Sequence, residues 1–246
     1  MQHILLINDV VTGIFMRRKI ELVAVLLLLI GVIAAAGKIS SYVTSDKVSK
    51  SDVQVVIDPG HGGRDPGKVA IDDTLEKDIN LAIAKMVVSK LEDQGITVLM
   101  TREDDSGLYS ENASNKKAED MKNRVEIINR AKPSLVVSIH QNSYSDASVK
   151  GAQVFYYTHS KESKAIAENM QEKMRKVDEG NTKQAKADGT YYMLKKTKVP
   201  TIIVECGFLS NAEDAARLND AVYQEEMAAA ICKGIVESLK SAEKTK

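Results

Sequence analysis

His140 and Glu205 each close an apolar run, His61 sits in a glycine-rich loop just after another, and Glu76 opens the helical pattern that follows that loop. Imidazole and carboxylate are the donor types of catalytic zinc sites, in which three protein ligands leave the fourth coordination position to water. Two histidines and one carboxylate make such a set. Taken singly, each residue has a blander explanation. A histidine in a glycine loop is more often a solvated turn residue than a ligand. Glu76 stands three residues after Asp73, the spacing of a capping box that only ties down a helix end. A glutamate at a strand end can sit in a surface salt bridge.

The elements that must position these groups give them weight together. Val53 to Gly67 reads VQVVIDPGHGGRDPG, a β-branched run that stops at Asp58 and breaks into a glycine-rich loop. Pro133 to Asn142, PSLVVSIHQN, and Pro200 to Asn211, PTIIVECGFLSN, repeat the design of an apolar strand finishing on an ionisable residue. The carboxyl ends of strands are where open α/β sheets place ligand chemistry. Between them, Ile79, Ile83, Met86, Val87 and Leu91 recur at helical spacing until Gly95, and Ile96 to Met100 reads as a strand followed by a polar loop from Glu103 to Lys116. Met121, Val125 and Ile128 mark a second helix ended by Pro133. Gly151 to Tyr157 is a strand, Ser160 to Val177 a helix and Asp178 to Gly189 a polar loop; Tyr191 to Lys195 begins a short segment, Ser210 with Glu213 has capping-box spacing, and Ala221 to Leu239 is a closing helix. Alternating strands and helices predict one α/β domain over 53–240, with a mostly parallel or mixed central sheet and helices on both faces.

The chain has 246 residues with 43% hydrophobic content, enough for one sizeable domain plus an extension, and its formal net charge of +0 offers no nucleic-acid surface. Arg17, Arg18 and Lys19 precede an apolar run from Leu22 to Ala36, the order of a signal peptide or membrane anchor over 1–37. That order predicts export across the cytoplasmic membrane, with the product secreted or anchored. Counted from Ile20 the run approaches the roughly 17 residues needed to span a bilayer, so cleavage and retention both stand. Residues 1–15 sit awkwardly ahead of the basic cluster and read as a mis-assigned extension, Met16 being the natural start. No cysteine follows the apolar run, which argues against a lipid-modified N-terminus. Residues 38–52, rich in Ser and Lys, read as a tether and 241–246 as a tail. Cys206 and Cys232 are the only cysteines, and two small buried thiols are at least as good a reading as a disulfide.

Several motifs in order now carry a family resemblance: DPGHGG at 58–63, LEKDINL around Glu76, TRED at 101–104, Arg124 and Asn129 before SIHQN, and VECGFLSN at 204–211. From about Val53 to Leu239 the chain resembles the zinc-dependent N-acetylmuramoyl-L-alanine amidases of the type 3 amidase family. Carried over residue by residue, the resemblance implies His61, Glu76 and His140 as zinc ligands and Glu205 as the catalytic glutamate. Gln141 stands where these enzymes commonly have Ala, Cys206 directly follows the glutamate, and Lys68 replaces a small residue at the rim; none of these removes a ligand. Arg102 and Arg124 read as structural groups pairing carboxylates near the site. His159 reads as a solvated or capping residue, and Asn142 as a strand-end turn.

The implied substrate and partner is peptidoglycan, cut at the lactyl amide between muramic acid and L-alanine. Zinc would lower the pKa of its water toward about 7 and face the developing oxyanion, while Glu205 moves the proton to the departing amine. No wall-binding repeat accompanies the domain. That layout resembles the sporulation amidases acting before the muramic δ-lactam of spore cortex is made, and implies the forespore intermembrane space and an accessory spore protein. The same ligand set would also serve a zinc peptidase or deacetylase, and a wall-binding regulator with a degenerate site is a third reading, against which the retained Glu205 argues.

Overall fold

The computed structural model describes residues 53–244, and the apolar run with its tether lies outside them. Six strands form one sheet in the order β2-β1-β3-β6-β4-β5: β1 Val55–Pro59, β2 Val98–Met100, β3 Leu135–Asn142, β4 Gln153–Tyr157, β5 Lys186–Asp188 and β6 Thr201–Phe208. Every pairing is parallel except β4 with β6, so the sheet is mixed. The helices are α1 Glu76–Glu92, α2 Lys116–Ala131, α3 Lys161–Val177, α4 Tyr192–Lys196, α5 Ala212–Leu218 and α6 Ala221–Lys244.

Strand alternation divides the core between two faces, because successive side chains point to opposite sides of a sheet. Val55, Ile57, Val137, Ile139, Ile202 and Val204 pack with Ile79, Ile83, Met170 and Ile231 under α1, α3 and α6. Val56, Val136 and Ile203 pack with Val125, Ile128 and Met193 under α2 and α4. Both faces are thus covered, which explains why apolar residues occupy both sides of the central strands. Each fully buried Ile or Leu in such a core contributes about 1.5 to 3 kcal/mol.

Helix ends follow local chemistry. Asn115 caps α2 by accepting from the Ala118 N–H, and Lys132, at φ 52°, turns the chain in left-handed geometry just before Pro133. Two expected capping boxes do not form. Asp73 lies at φ 66° in a turn, and α1 starts at Glu76 with no side-chain cap. Asn211, not Ser210, caps α5, accepting from the Glu213 and Asp214 N–H groups. Within the expected polar loop after α3, β5 pairs with β4 as a three-residue edge strand. Among the described residues no helix is long and apolar enough to cross a membrane.

Candidate active site

β1, β3 and β6 are adjacent and parallel, so their carboxyl ends meet at one edge of the sheet. His140 and Glu205 are register partners across β3 and β6, and His61 lies two residues beyond the end of β1. At φ 62°, His61 occupies left-handed backbone that a non-glycine residue adopts only when its surroundings enforce it. The enforcement is visible. Arg124, 1% exposed, donates to the carbonyls of Pro59 and His61, while Arg102 donates to those of Pro59 and Gly60 at 3.0 Å each.

Asp58 anchors this scaffold from below. Its carboxylate accepts from Thr101 and Ser138 at 2.6 Å each and from Arg124 at 2.8 Å. Burial alone would raise the Asp58 carboxyl, but the Arg124 charge and the two hydroxyls outweigh it and hold the group below the usual carboxylate range. Three sequence motifs therefore converge on one buried ion pair; Arg124 pairs carboxylates, Asp58 and Asp120, as expected, whereas Arg102 donates to backbone carbonyls instead of the carboxylate expected for it.

Above that layer, His61, Glu76 and His140 offer donor atoms that all lie within 4.8 Å of one another. Glu76 Oε1 is 3.2 Å from His61 Nε2 and 3.0 Å from His140 Nδ1. Glu76 sits at the first position of α1, not the third. Its other oxygen accepts from the Lys68 N–H at 2.8 Å, while its own N–H donates to the Lys68 carbonyl at 2.9 Å. The carboxylate is thereby turned away from its own helix end and toward the histidines. Burial would raise it, but hydrogen bonds to His140 and His61 hold it far below the ordinary range.

Asp65, which the sequence reading passed over, completes the His61 environment. Its Oδ2 lies 2.9 Å from His61 Nδ1, fixing the ring so that Nε2 faces Glu76. A carboxylate on the far nitrogen is the usual support for a metal-bound imidazole. Burial would lower the His61 pKa, but Asp65 and Glu76 lift it to about 9, so this pocket is built to stabilise positive charge on or beside the ring. The cradle is also tight. A Cβ at Gly60 would fall 2.1 Å from the His140 ring, and one at Gly67 would fall 2.5 Å from Glu76 Oε2. Donor types, convergence, supporting carboxylate and charge all fit a divalent cation.

Glu205 is not among the converging donors but lines the same cleft, of about 400 Å³, with His61, Glu76 and His140. It is 5% exposed, and burial pushes its carboxyl up to about 7, with the Glu76 carboxylate adding to that and the His140 ring opposing it. The Tyr191 hydroxyl lies 3.3 Å from Oε1, while Oε2 is buried with no hydrogen-bond partner. A carboxyl poised near neutral pH in a cleft can both accept and return a proton. A surface salt bridge, its bland alternative, is absent from the described residues.

The unusual residues at 141 and 206 meet behind the site. Gln141 donates its backbone N–H to Glu76 Oε1 at 3.1 Å and its amide to Asn80 at 3.2 Å. Burial pushes the Cys206 thiol up, with its contact to Gln141 opposing. Cys206 and Cys232 are both free and buried, so the two-thiol reading holds. His159 stays outside the cleft, edge-on to Tyr157. Asn142 lines the cleft while its carboxamide accepts the Ser143 N–H at 2.8 Å, the turn contact expected of it.

Residues 55–237 match the family model described as N-acetylmuramoyl-L-alanine amidase. A germination-specific N-acetylmuramoyl-L-alanine amidase of Bacillus subtilis is 39% identical over 185 residues, covering 74% of this chain and 78% of that protein. Among solved structures, the CwlD amidase from Clostridioides difficile, in complex with the GerS lipoprotein, aligns with a TM-score of 0.74 at 40% identity, covering 76% of this chain and 98% of that one. The amidase AmiC2 of Nostoc punctiforme aligns with a TM-score of 0.68 at 34% identity, covering 78% and 99%.

Proposed function

The chain belongs to the N-acetylmuramoyl-L-alanine amidase family, and from that premise we propose that it is a zinc-dependent member acting on the peptidoglycan of spore cortex, before muramic δ-lactam is made. The amidase activity itself follows from the family. What supports zinc dependence is the convergence of His61, Glu76 and His140 beside a buried, half-satisfied Glu205 in one cleft.

His61 through Nε2, His140 through Nδ1 and Glu76 through its carboxylate would hold the metal. Zinc bound there supplies Lewis-acid polarisation of the amide carbonyl and acidifies water. Asp65 keeps the His61 ring oriented, and Lys68 and Gln141 keep the Glu76 carboxylate aimed into the cleft. The Glu205 carboxylate takes a proton from the attacking water as the water oxygen bonds to the carbonyl carbon. As the carbon–nitrogen bond breaks, the carboxyl hands that proton to the departing amine of L-alanine. The 5% exposure of Glu205 keeps bulk water from competing for it.

The cortex role draws on the germination-specific relative in Bacillus subtilis, and an accessory lipoprotein partner draws on the CwlD structure solved with GerS. The segment preceding residue 53 would export the enzyme across the cytoplasmic membrane to the wall. Digestion of purified peptidoglycan tests the reaction: new L-alanine N-termini with intact glycan are expected, whereas alanine left on muramic acid would identify a peptidase. Parallel metal analysis, with loss of activity on chelation and recovery with zinc, tests the cofactor; full activity in a metal-free preparation would refute it.

A further inference from the structure

Glu205 has two carboxylate oxygens with different surroundings, and one side chain makes the difference. Oε1 faces the Tyr191 hydroxyl at 3.3 Å; Oε2 is buried with no partner. Tyr191 is itself held from three directions. Its ring packs on Phe155 with centroids 5.5 Å apart, its N–H donates to Asp188 Oδ1 at 3.0 Å, and its carbonyl accepts the Lys195 N–H at 3.1 Å at the start of α4. Asp188 belongs to the edge strand β5, which pairs with the same β4 that carries Phe155. A hydroxyl fixed in this way by a strand edge and a helix start is a rigid reference point for a carboxylate that has no other hydrogen-bond donor.

We propose that Tyr191 is the positioning residue for Glu205, donating its hydroxyl hydrogen to Oε1 and so fixing the rotation of the carboxylate that moves the proton between water and the departing amine. The proposal rests on the reading of Glu205 as proton carrier. A carboxylate free to rotate about its last torsion would present either oxygen to the cleft, because that terminal torsion is broad and roughly two-fold. One hydrogen bond to Oε1 removes the degeneracy. Tyr191 exchanges no proton in this scheme: burial and the neighbouring Glu205 charge push its hydroxyl well above its ordinary range, so it stays a donor throughout. The 3.3 Å contact is long for a hydroxyl and a carboxylate, and such hydrogen bonds in ligand-free sites commonly tighten when substrate binds.

The test is a double-mutant cycle of Tyr191→Phe and Glu205→Gln in the zinc-loaded enzyme, reading kcat and KM on peptidoglycan fragments with zinc content and Tm for each variant. Tyr191→Phe should lower kcat about ten- to hundred-fold, the scale of one lost hydrogen bond to a charged group, with KM, zinc content and Tm close to wild type. On the Glu205→Gln background the same change should lower kcat no further, since its only route of action is gone. A Tyr191→Phe enzyme with kcat within two-fold of wild type overturns the proposal, as does an equal loss of kcat on both backgrounds or a loss carried by KM. If Glu205→Gln alone keeps its activity, it is the proton-carrier reading that fails, which separates the two outcomes.

Discussion

Replacing Arg124 with Met removes the guanidinium that ties β1, α2 and the His61 loop together and keeps an unbranched apolar stem in its place. Wild-type Arg124 is 1% exposed and reaches Asp58 at 2.8 Å, Asp120 at 2.5 Å and the Pro59 carbonyl at 2.7 Å, besides the His61 carbonyl. The variant leaves Asp58 as an unpaired buried charge. Breaking a buried pair from one side costs about 3 to 5 kcal/mol. In a domain of this size each kcal/mol moves Tm by about 2 to 4 °C, so a fall of about 6 to 20 °C is expected. The pH dependence carries a sign. In the wild type the folded Asp58 pKa lies below its unfolded value, so the pair's stabilisation is present above about pH 4 and is lost as pH falls through the folded pKa. Without Arg124, burial raises the folded pKa above the unfolded one, so the penalty is relieved as pH falls. The gap between the two proteins should therefore begin to narrow above about pH 4, as the variant's Asp58 takes up its proton, and go on narrowing below it as the wild-type pair is lost; adding Asp58→Asn to the variant should recover part of the lost stability at pH 7. Thermal unfolding followed by circular dichroism at matched zinc loading measures all of this. A Tm within about 2 °C of wild type at pH 7, or a gap that widens in acid, would refute the reasoning.

Glu76→Gln should keep the far-UV spectrum but bind zinc poorly and lose most of its activity, because Glu76 starts α1 without capping it; near-normal turnover with a stability loss of at most about 1 kcal/mol would return it to a helix-end role. Asp65→Asn should weaken zinc affinity about 10- to 100-fold in a chelator competition by releasing the His61 ring, and unchanged affinity would show that the 2.9 Å contact does not support the ligand.

Much of this arrangement could be read from the chain. Apolar runs that stop at Asp58, His140 and Glu205 announce buried strands, and the central sheet brings their ends together with His140 and Glu205 in direct register. The parallel part of the sheet follows from the alternation of strands and helices, while β4, which follows β3 with no helix between them, runs antiparallel to β6 and makes the sheet mixed. Local ambiguity defeated the finer features. Asp73 and Glu76 have capping-box spacing, yet the chain turns at Asp73 with positive φ, and the Glu76 side chain is drawn off by Lys68 and the histidines. Ser210 and Asn211 are both good caps, and only the geometry of the turn selects Asn211. β5, reading Lys-Ala-Asp, lacks the apolar alternation that marks a strand because it lies at the sheet edge. Asp65 offered one usable signal, a carboxylate four residues after a loop histidine. Tyr191 offered none, since its contact with Glu205 depends on how α4 docks against β6.

The most direct measurement is the release of L-alanine N-termini from purified peptidoglycan by Glu205→Gln, compared with wild type at equal zinc content. Loss of a group that serves as both base and acid should lower the rate about 10³- to 10⁴-fold while zinc stays bound. Release within ten-fold of wild type, or a variant that can no longer hold zinc, would contradict the assignment of Glu205 as the proton carrier beside a His61, Glu76 and His140 metal site.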